Sequence, residues 1–371
     1  MVKRRVLILT ASFGDGHNSA ARGVAAALTG GLAGEGVEVE VHDLVRAAEP
    51  AKGAWLQRGY QFAITHWPWA WRQLYHLTEN LPFDDDRLLF LGRVERAMAE
   101  TIGRFRPGAI VCTFPLYPHL LAKWYGPHEL PCPVVTVVTD SITINRVWLT
   151  DVASAYCVAD GLSAGDLRRR AAAGAGVVES GFPVDPCFET LESGPPASDL
   201  PRRVLVFAGG SRRDFGRMLD SLHEEAPDES RLTIVLGRQE ARLGAVARSL
   251  QASARSRRIE VLGWTREVPG LMASHDLVIG KAGGATTHET AAAGRPMLIT
   301  QIVPGQEEGN AELVLRRATG WHEPVPSRVG RLLREIVATG AWTAAAQRAW
   351  NLRRPGGARE VARVVLSKML P

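Results

Sequence analysis

Several features are scarce in this 371-residue sequence, and each scarcity excludes a class of protein. Cysteine is rare: Cys112, Cys132, Cys157 and Cys187 lie scattered, with no CxxC pair and no histidine at zinc spacing. That argues against a disulfide scaffold or structural zinc and for a reducing compartment. No uninterrupted run of about 18 apolar residues occurs, so no transmembrane helix is expected. The basic start, Met1–Arg5, followed by Val6–Leu9, imitates a secretory leader, but its apolar stretch is too short and reads as a first β-strand. No Lys/Arg block is interleaved with aromatics, and zinc-finger and RNP-type signatures are missing, so nucleic acid is not an expected partner. Gly (37) and Pro (22) show no repeat period, which excludes collagen-like and solenoid chains.

What is present suits a globular protein with room for two domains: 46% hydrophobic and 22% charged residues. Charge is uneven. Residues 1–200 carry 18 Lys and Arg against 22 Asp and Glu, and the remainder carries 26 against 17. A basic second half suits an anionic ligand such as a nucleotide diphosphate. Short β-branched runs alternate with Ala/Leu/Arg-rich helical stretches, the pattern of βαβ units. Strands are expected at Val6–Thr10, Val37–Val41, Ala109–Thr113, Val134–Thr139 and Ala155–Val158, then at Val204–Ala208, Leu232–Leu236, Ile259–Leu262, Leu277–Ile279 and Met297–Thr300. A polar linker, Glu192–Asp199, separates the halves, and residues 341–370 read as one or two helices broken at Pro355-Gly356-Gly357. The expected fold is α/β: two doubly wound domains facing a central cleft at the carboxyl ends of both sheets, where ligands bind.

Chemistry is therefore sought in the loops after strands. The first strand runs into Thr10-Ala11-Ser12-Phe13-Gly14-Asp15-Gly16-His17-Asn18-Ser19 and an Ala-rich helix. Ser19 fills the place of the third glycine of a dinucleotide fingerprint, so Asp43 is a decoy for a ribose-binding acid. His17, at a strand-to-helix turn, could take a proton from an acceptor hydroxyl, or simply cap and pack the loop. Asp15 could orient it or cap the helix. In the second half, Gly209-Gly210-Ser211 and Gly280-Lys281-Ala282-Gly283-Gly284-Ala285-Thr286-Thr287-His288-Glu289 are phosphate-type loops, the latter opening a helix near Thr286. Glu289, read on its first turn, could accept from both ribose hydroxyls or serve a capping box with Thr286. Gln301 to Asn310 gathers amides and carboxylates fit for sugar hydroxyls, or forms a solvated loop.

Together the first loop, Gly280–Glu289 and the Pro304-Gly305-Gln306-Glu307…Asn310 run resemble glycosyltransferase family 28, in its branch of monogalactosyl- and processive glucosyl-diacylglycerol synthases. The likeness runs from Val6 to about Gly320. It implies a GT-B fold of two Rossmann-like domains and an inverting transfer from a UDP-sugar to a lipid hydroxyl. By motif, His17 is the general base, with Asp140 of Thr139-Asp140 holding the acceptor or orienting His17; a helix cap is the rival role for Asp140. Gly209, Gly210, Ser211, Gly283, Gly284, Ala285 and Thr286 line the donor phosphates. Glu289 holds the ribose, Trp264, Thr265 and Val268 face the uracil through their backbone, and Gln306 and Glu307 read the sugar with Asn310 near them. Residues 1–190 are then the acceptor and membrane-binding domain, with the C-terminal helix at about 345–371 packing back on it, and 200–344 the donor-binding domain.

Amides at helix N-termini and basic groups can stabilise departing UDP, so no metal and no cofactor is expected. Asp84-Asp85-Asp86 follows Pro82 and reads as a helix cap with solvated charges rather than a metal motif. Residues 52–77 hold Trp55, Tyr60, Phe62, Trp67, Trp69, Trp71 and Tyr75 with Lys52, Arg58 and Arg72 and no acid. Such a segment fits an anionic bilayer interface, or a core helix rich in aromatics. Gly16 and Trp148 join it on the acceptor side. The expectation is a cytoplasmic enzyme, peripheral on the inner face of the cell membrane and open to homodimer formation, that glycosylates diacylglycerol. The first loop lacks the usual three consecutive glycines, and Trp148 is followed by Leu149-Thr150-Asp151 where the synthases show His-Pro-Asp. Another acceptor (a lipid-linked cell-wall precursor or secondary metabolite) and a non-catalytic UDP-sugar-binding protein are the alternatives, with a UDP-sugar epimerase behind them. Which sugar is transferred is not written in these motifs.

Overall fold

The computed structural model describes residues 4–30, 36–50, 91–126, 129–172, 174–191, 194–196, 198–254 and 259–369, with separate positions between 59 and 77. The chain divides into two compact units. Unit 1 takes residues 1–186, 304–309 and 356–371, and unit 2 takes 187–303 and 310–355.

Unit 1 contains β1 (Arg4–Leu9), β2 (Val37–His42), β3 (Ala109–Cys112), β4 (Val134–Val137), β5 (Ala153–Val158) and β6 (Gly176–Glu179), all parallel in the order β2-β1-β3-β4-β5-β6. Its helices include α1 (Asp15–Thr29), α2 (Leu44–Ala48), α3 (Gly92–Phe105), α4 (Leu116–Tyr125) and α5 (Gly161–Arg170). Both faces of the sheet are covered, as a parallel sheet requires. The strand period of two sends Val6 and Ile8 to one face, among Ala21, Val24 and Leu28 of α1, while Leu7 and Leu9 enter the other, among Met98 and Ile102 of α3 and Leu120 of α4. Gly23 lets α1 approach the chain after β6 closely, since a Cβ there would stand 2.0 Å from Pro183 O.

Unit 2 contains α6 (Cys187–Thr190), α7 (Arg212–Glu225), α8 (Glu240–Ser253), α9 (Val268–Ser274), α10 (Gly284–Ala292), most of α11 (Glu308–Arg316), α12 (Val329–Ala338) and α13 (Ala341–Asn351). Its strands are β7 (Arg203–Phe207), β8 (Arg231–Val235), β9 (Ile259–Leu262), β10 (Leu277–Lys281), β11 (Met297–Gln301) and β12 (Gly320–His322), parallel in the order β12-β11-β10-β7-β8-β9. Val204, Val206, Ile234, Ile279 and Leu298 form its core with Phe215 and Leu219 of α7 and Leu333 of α12. The last helix, α14 (Gly357–Lys368), returns to unit 1 and buries Val361, Ala362 and Val365 in the cluster that α1 lines.

All ten strands expected from the sequence form, with ends shifted by a residue or two. Two more, β6 and β12, lie at sheet edges; they are only four and three residues long and partly exposed, so no buried apolar run marks them. Strand order reverses between β1 and β3 in one sheet and between β7 and β10 in the other, and crevices for ligands open at such reversals.

Candidate active site

In unit 1 the loops flanking the reversal are those after β1 and β3, and they meet at His17. This residue lies in the first turn of α1, 6% exposed, with Nδ1 2.8 Å from the Thr113 carbonyl oxygen and 2.9 Å from Thr139 Oγ1. A carbonyl only accepts, so Nδ1 carries the proton and Nε2 is left as a lone-pair base. Burial lowers the pKa of His17 from 6.5 to about 4, against the opposing effect of the Thr113 bond, and the ring is neutral near pH 7. Phe114 meets it edge-on at 5.0 Å and Trp148 is tilted at 6.0 Å.

The loop bearing His17 is stitched in place. Asp43 accepts from Ser12 N at 3.0 Å and Ser12 Oγ at 2.7 Å while capping α2 through Arg46 N, so the decoy acid has a structural task. Asn18 bridges Ser12 Oγ and Thr10 Oγ1, and the buried Tyr117 hydroxyl donates to Thr10 O and accepts from Leu44 N. The first turn of α1 follows Gly14, whose φ of 126° suits glycine, with no side chain capping it. Gly16 is half-buried on that turn and Asp15 is exposed.

Asp140 does not orient His17 by any bond to Nδ1; that task falls to Thr113 and Thr139. Its Oδ2 accepts from Trp148 Nε1 at 2.7 Å, and burial pushes its carboxyl up to about 6 against that bond. It caps none of the described helices, and Trp148, 1% exposed, is an interior ring beside His17 rather than a surface one. Two residues after Asp140, Ile142 has φ 57°, a strained value for a β-branched residue, held by a 2.8 Å bond from its N–H to Ser163 Oγ.

In unit 2 the reversal is flanked by the loops after β7 and β10. Gly210 has φ 74°, and its carbonyl accepts from Arg242 Nη1 at 2.6 Å. Ser211 caps α7 by accepting from Asp214 N, so its hydroxyl is already engaged. Helix α10 starts at Gly284, two residues before the expected point, with Gly283 as N-cap and no capping side chain. Its first amides therefore lack intrahelical partners and suit an anion. Glu289 consequently lies on the second turn, out of place for a capping box with Thr286. Ala285 and Thr286 are half-buried there. Thr287 and Asn310 are each 2% exposed, and Thr287 Oγ1 and Asn310 Oδ1 are buried with no hydrogen-bond partner; Asn310 Nδ2 donates to Ala282 O at 3.1 Å. Trp264 is exposed under Arg266, Thr265 Oγ1 accepts from Glu267 N, and Val268 opens α9.

Gln306 and Glu307 lie in the segment that groups with unit 1, Glu307 buried and Gln306 partly so. In the aromatic segment Phe62, Trp67, Trp69 and Leu77 are exposed and Tyr75 is half-buried, while Trp55, Tyr60, Trp71 and Asp84-Asp85-Asp86 lie outside the described residues. Among the described residues no helix is long and apolar enough to cross a membrane, and no group of three or more His, Cys, Asp or Glu could hold a metal ion. Sequence reasoning missed Thr113, Thr139 and Arg242, since a carbonyl or a clamp between loops leaves no local spacing signal.

Two parallel, doubly wound units with these reversals are the GT-B glycosyltransferase fold. MurG of Acinetobacter baumannii superposes with a TM-score of 0.60 at 16% identity, covering 98% of this chain and 99% of that one. HepE of Anabaena in complex with UDP and glucose gives 0.55 at 15%, covering 98% and 99%. The sequence narrows the class. Residues 17–184 match the family profile described as monogalactosyldiacylglycerol (MGDG) synthase. A probable chloroplastic monogalactosyldiacylglycerol synthase of Glycine max is 26% identical over 383 residues, covering 95% of this chain and 69% of the relative. The processive diacylglycerol beta-glucosyltransferase of Staphylococcus haemolyticus (strain JCSC1435) is 25% identical over 318 residues, covering 83% and 78%. The chain is similar to this branch of family 28, and it spans about two thirds of the length of these plant relatives.

Proposed function

We propose that this protein is an inverting glycosyltransferase that moves a hexose from a UDP-sugar to a hydroxyl of diacylglycerol. The observation that carries the reading is His17: its Nδ1–H is committed to Thr113 O and Nε2 is unprotonated at neutral pH. In the reaction the acceptor hydroxyl gives its proton to Nε2 while its oxygen bonds to the anomeric carbon. The bond from that carbon to the UDP oxygen breaks, its electron pair leaving on the diphosphate, and one displacement inverts the configuration. General-base help of this kind is worth about 10²–10⁴ in rate.

The growing diphosphate charge calls for fixed N–H donors. The uncapped start of α10, Gly283 to Thr286, and the Gly209-Gly210-Ser211 loop supply them in this reading, in place of a metal ion. Glu289 takes the ribose, residues 264–268 the uracil, Gln306 and Glu307 the sugar, and Asn310 Oδ1 offers a further acceptor. Unit 1 serves the acceptor and unit 2 the nucleotide. The exposed Phe62, Trp67, Trp69 and Leu77, in a segment with cationic residues and no acid, anchor the protein peripherally on an anionic cytoplasmic membrane face. The altered first loop and Leu149-Thr150-Asp151 favour one second reading, the same chemistry on another acceptor.

The test is radiolabel transfer from a panel of UDP-sugars into total lipid extract, with chelator present and His17→Ala alongside. A labelled lipid from one donor, lost in the variant, supports the reading. An equally active variant demotes His17, and no labelled lipid despite UDP binding moves the acceptor outside lipids or leaves a binding protein.

A further inference from the structure

Residues 304–309 group with unit 1, although the strand before them and most of the helix after them belong to unit 2. Contacts within unit 1 hold them there. Gly305 has φ 80°, and a Cβ on it would stand 2.6 Å from Tyr75 Cδ1 and 2.7 Å from Cγ. Arg72 Nε donates to Glu308 Oε1 at 3.0 Å. A Cβ on Gly309 would stand 1.7 Å from Ser141 O and 2.7 Å from Thr143 Oγ1, so this glycine is pressed against the strained turn at Ile142. Tyr75 is itself tied down, its carbonyl accepting from Asn145 Nδ2 at 3.3 Å. Asn145, 2% exposed, accepts from Val147 N at 3.0 Å.

Gln306 and Glu307 thus sit between two glycines, each allowing a wall of unit 1 to touch the backbone. Glycine at both ends leaves a short loop loose unless something outside it supplies stiffness. Hexose epimers differ by the direction of one hydroxyl, and telling them apart needs the reading groups held within about 0.5 Å. The Tyr75 ring and the Arg72–Glu308 pair on one side and Ser141–Thr143 on the other contribute to that stiffness.

We propose that Tyr75 and Arg72 are positioning residues for the donor sugar, so that the aromatic segment braces the loop that selects the hexose. This rests on the reading of Gln306 and Glu307 as the sugar-contacting pair. The experiment is calorimetric titration of the full-length protein with UDP, UDP-glucose and UDP-galactose. It yields the gain in affinity that the sugar adds over UDP and the ratio between epimers. Tyr75→Ala should cut the sugar's contribution about tenfold and level the epimers, the scale of one lost precise contact, with UDP affinity within about twofold. Arg72→Glu should lower it about threefold, as suits an exposed ion pair, and Arg72→Glu with Glu308→Arg should restore it.

Gln306→Ala separates the possible failures. If it abolishes the sugar's contribution while Tyr75→Ala and Arg72→Glu leave it intact, the brace is wrong and the sugar reading stands. If Gln306→Ala also changes nothing, the sugar reading falls and takes the brace with it. Equal loss of UDP and UDP-sugar affinity in Tyr75→Ala would reveal a general packing role and overturn the proposal.

Discussion

Replacing Asp140 by asparagine should make the protein more stable at neutral pH. The carboxyl is pushed from 3.8 to about 6 by burial, only partly offset by the 2.7 Å bond from Trp148 Nε1. A raised folded-state pKa means that the folded protein binds the proton more tightly than the unfolded chain. The ionised group therefore destabilises the fold above about pH 6, and that cost disappears as pH falls toward 3.8. A rise of this size corresponds to about 3 kcal/mol. The asparagine oxygen can still accept from the indole, and the unpartnered amide NH₂ takes back about 1 kcal/mol. The net expectation is about 2 kcal/mol of added stability at pH 7.5. His17 works in the opposite sense: its pKa is lowered to about 4, so below 6.5 the unfolded chain protonates first and about 3 kcal/mol is lost by pH 4. In the wild type the two effects oppose each other between pH 4 and 6, and Asp140→Asn should uncover a steep acid decline. Hydrogen exchange of the β4 and β5 amides in urea, from pH 4.5 to 8, reports unit 1 alone. The reasoning fails if the variant is no more stable at pH 7.5, or if its advantage is the same at pH 4.5.

Other expectations follow from the same geometry. His17→Ala should lower turnover by about 10²–10⁴ with UDP affinity unchanged, and the wild-type acid limb of kcat/KM should lie near 4 rather than 6.5, which a pH–rate profile checks. Trp67→Ala with Trp69→Ala should reduce pelleting with anionic liposomes and leave UDP binding intact; unchanged pelleting would remove the membrane role of these rings. Gly23→Ala would set a methyl 2.0 Å from Pro183 O and should cost about 3 kcal/mol or more, measured as lost urea resistance of unit 1. Excess chelator should leave sugar transfer at its full rate.

How far the sequence could be read depended on where each signal resides. The ten strands that form as expected are buried runs such as Val6–Leu9 and Val204–Val206, where position in the core demands apolar residues. The edge strands β6 and β12 make no such demand. His17 stood out because it follows a strand-ending loop with glycines, but what fixes its ring comes from Thr113 and Thr139, 96 and 122 residues away. Helix α10 begins earlier than Thr286 suggests because Gly283 is its N-cap and the hydroxyls of the Thr-Thr pair fall inside the helix. Trp148 looked like part of an aromatic acceptor surface. The carboxylate eight residues before it gives the indole N–H an interior partner, which no spacing rule reveals.

The chain enters unit 1 three times, at 1–186, 304–309 and 356–371. A fragment ending at Pro186 would leave the sheet face beside α1 without Val361, Ala362 and Val365, and the Ser141–Thr143 turn without Gly309. Exchanging nucleotide specificity between relatives by swapping halves at the 192–199 linker would therefore produce a chimaera with mismatched seams. A workable graft needs junctions at all the crossings, so that each unit's own returning segments travel with it. The same threading constrains divergence: substitutions in the short 304–309 loop must suit a neighbour, Tyr75, encoded far earlier in the chain.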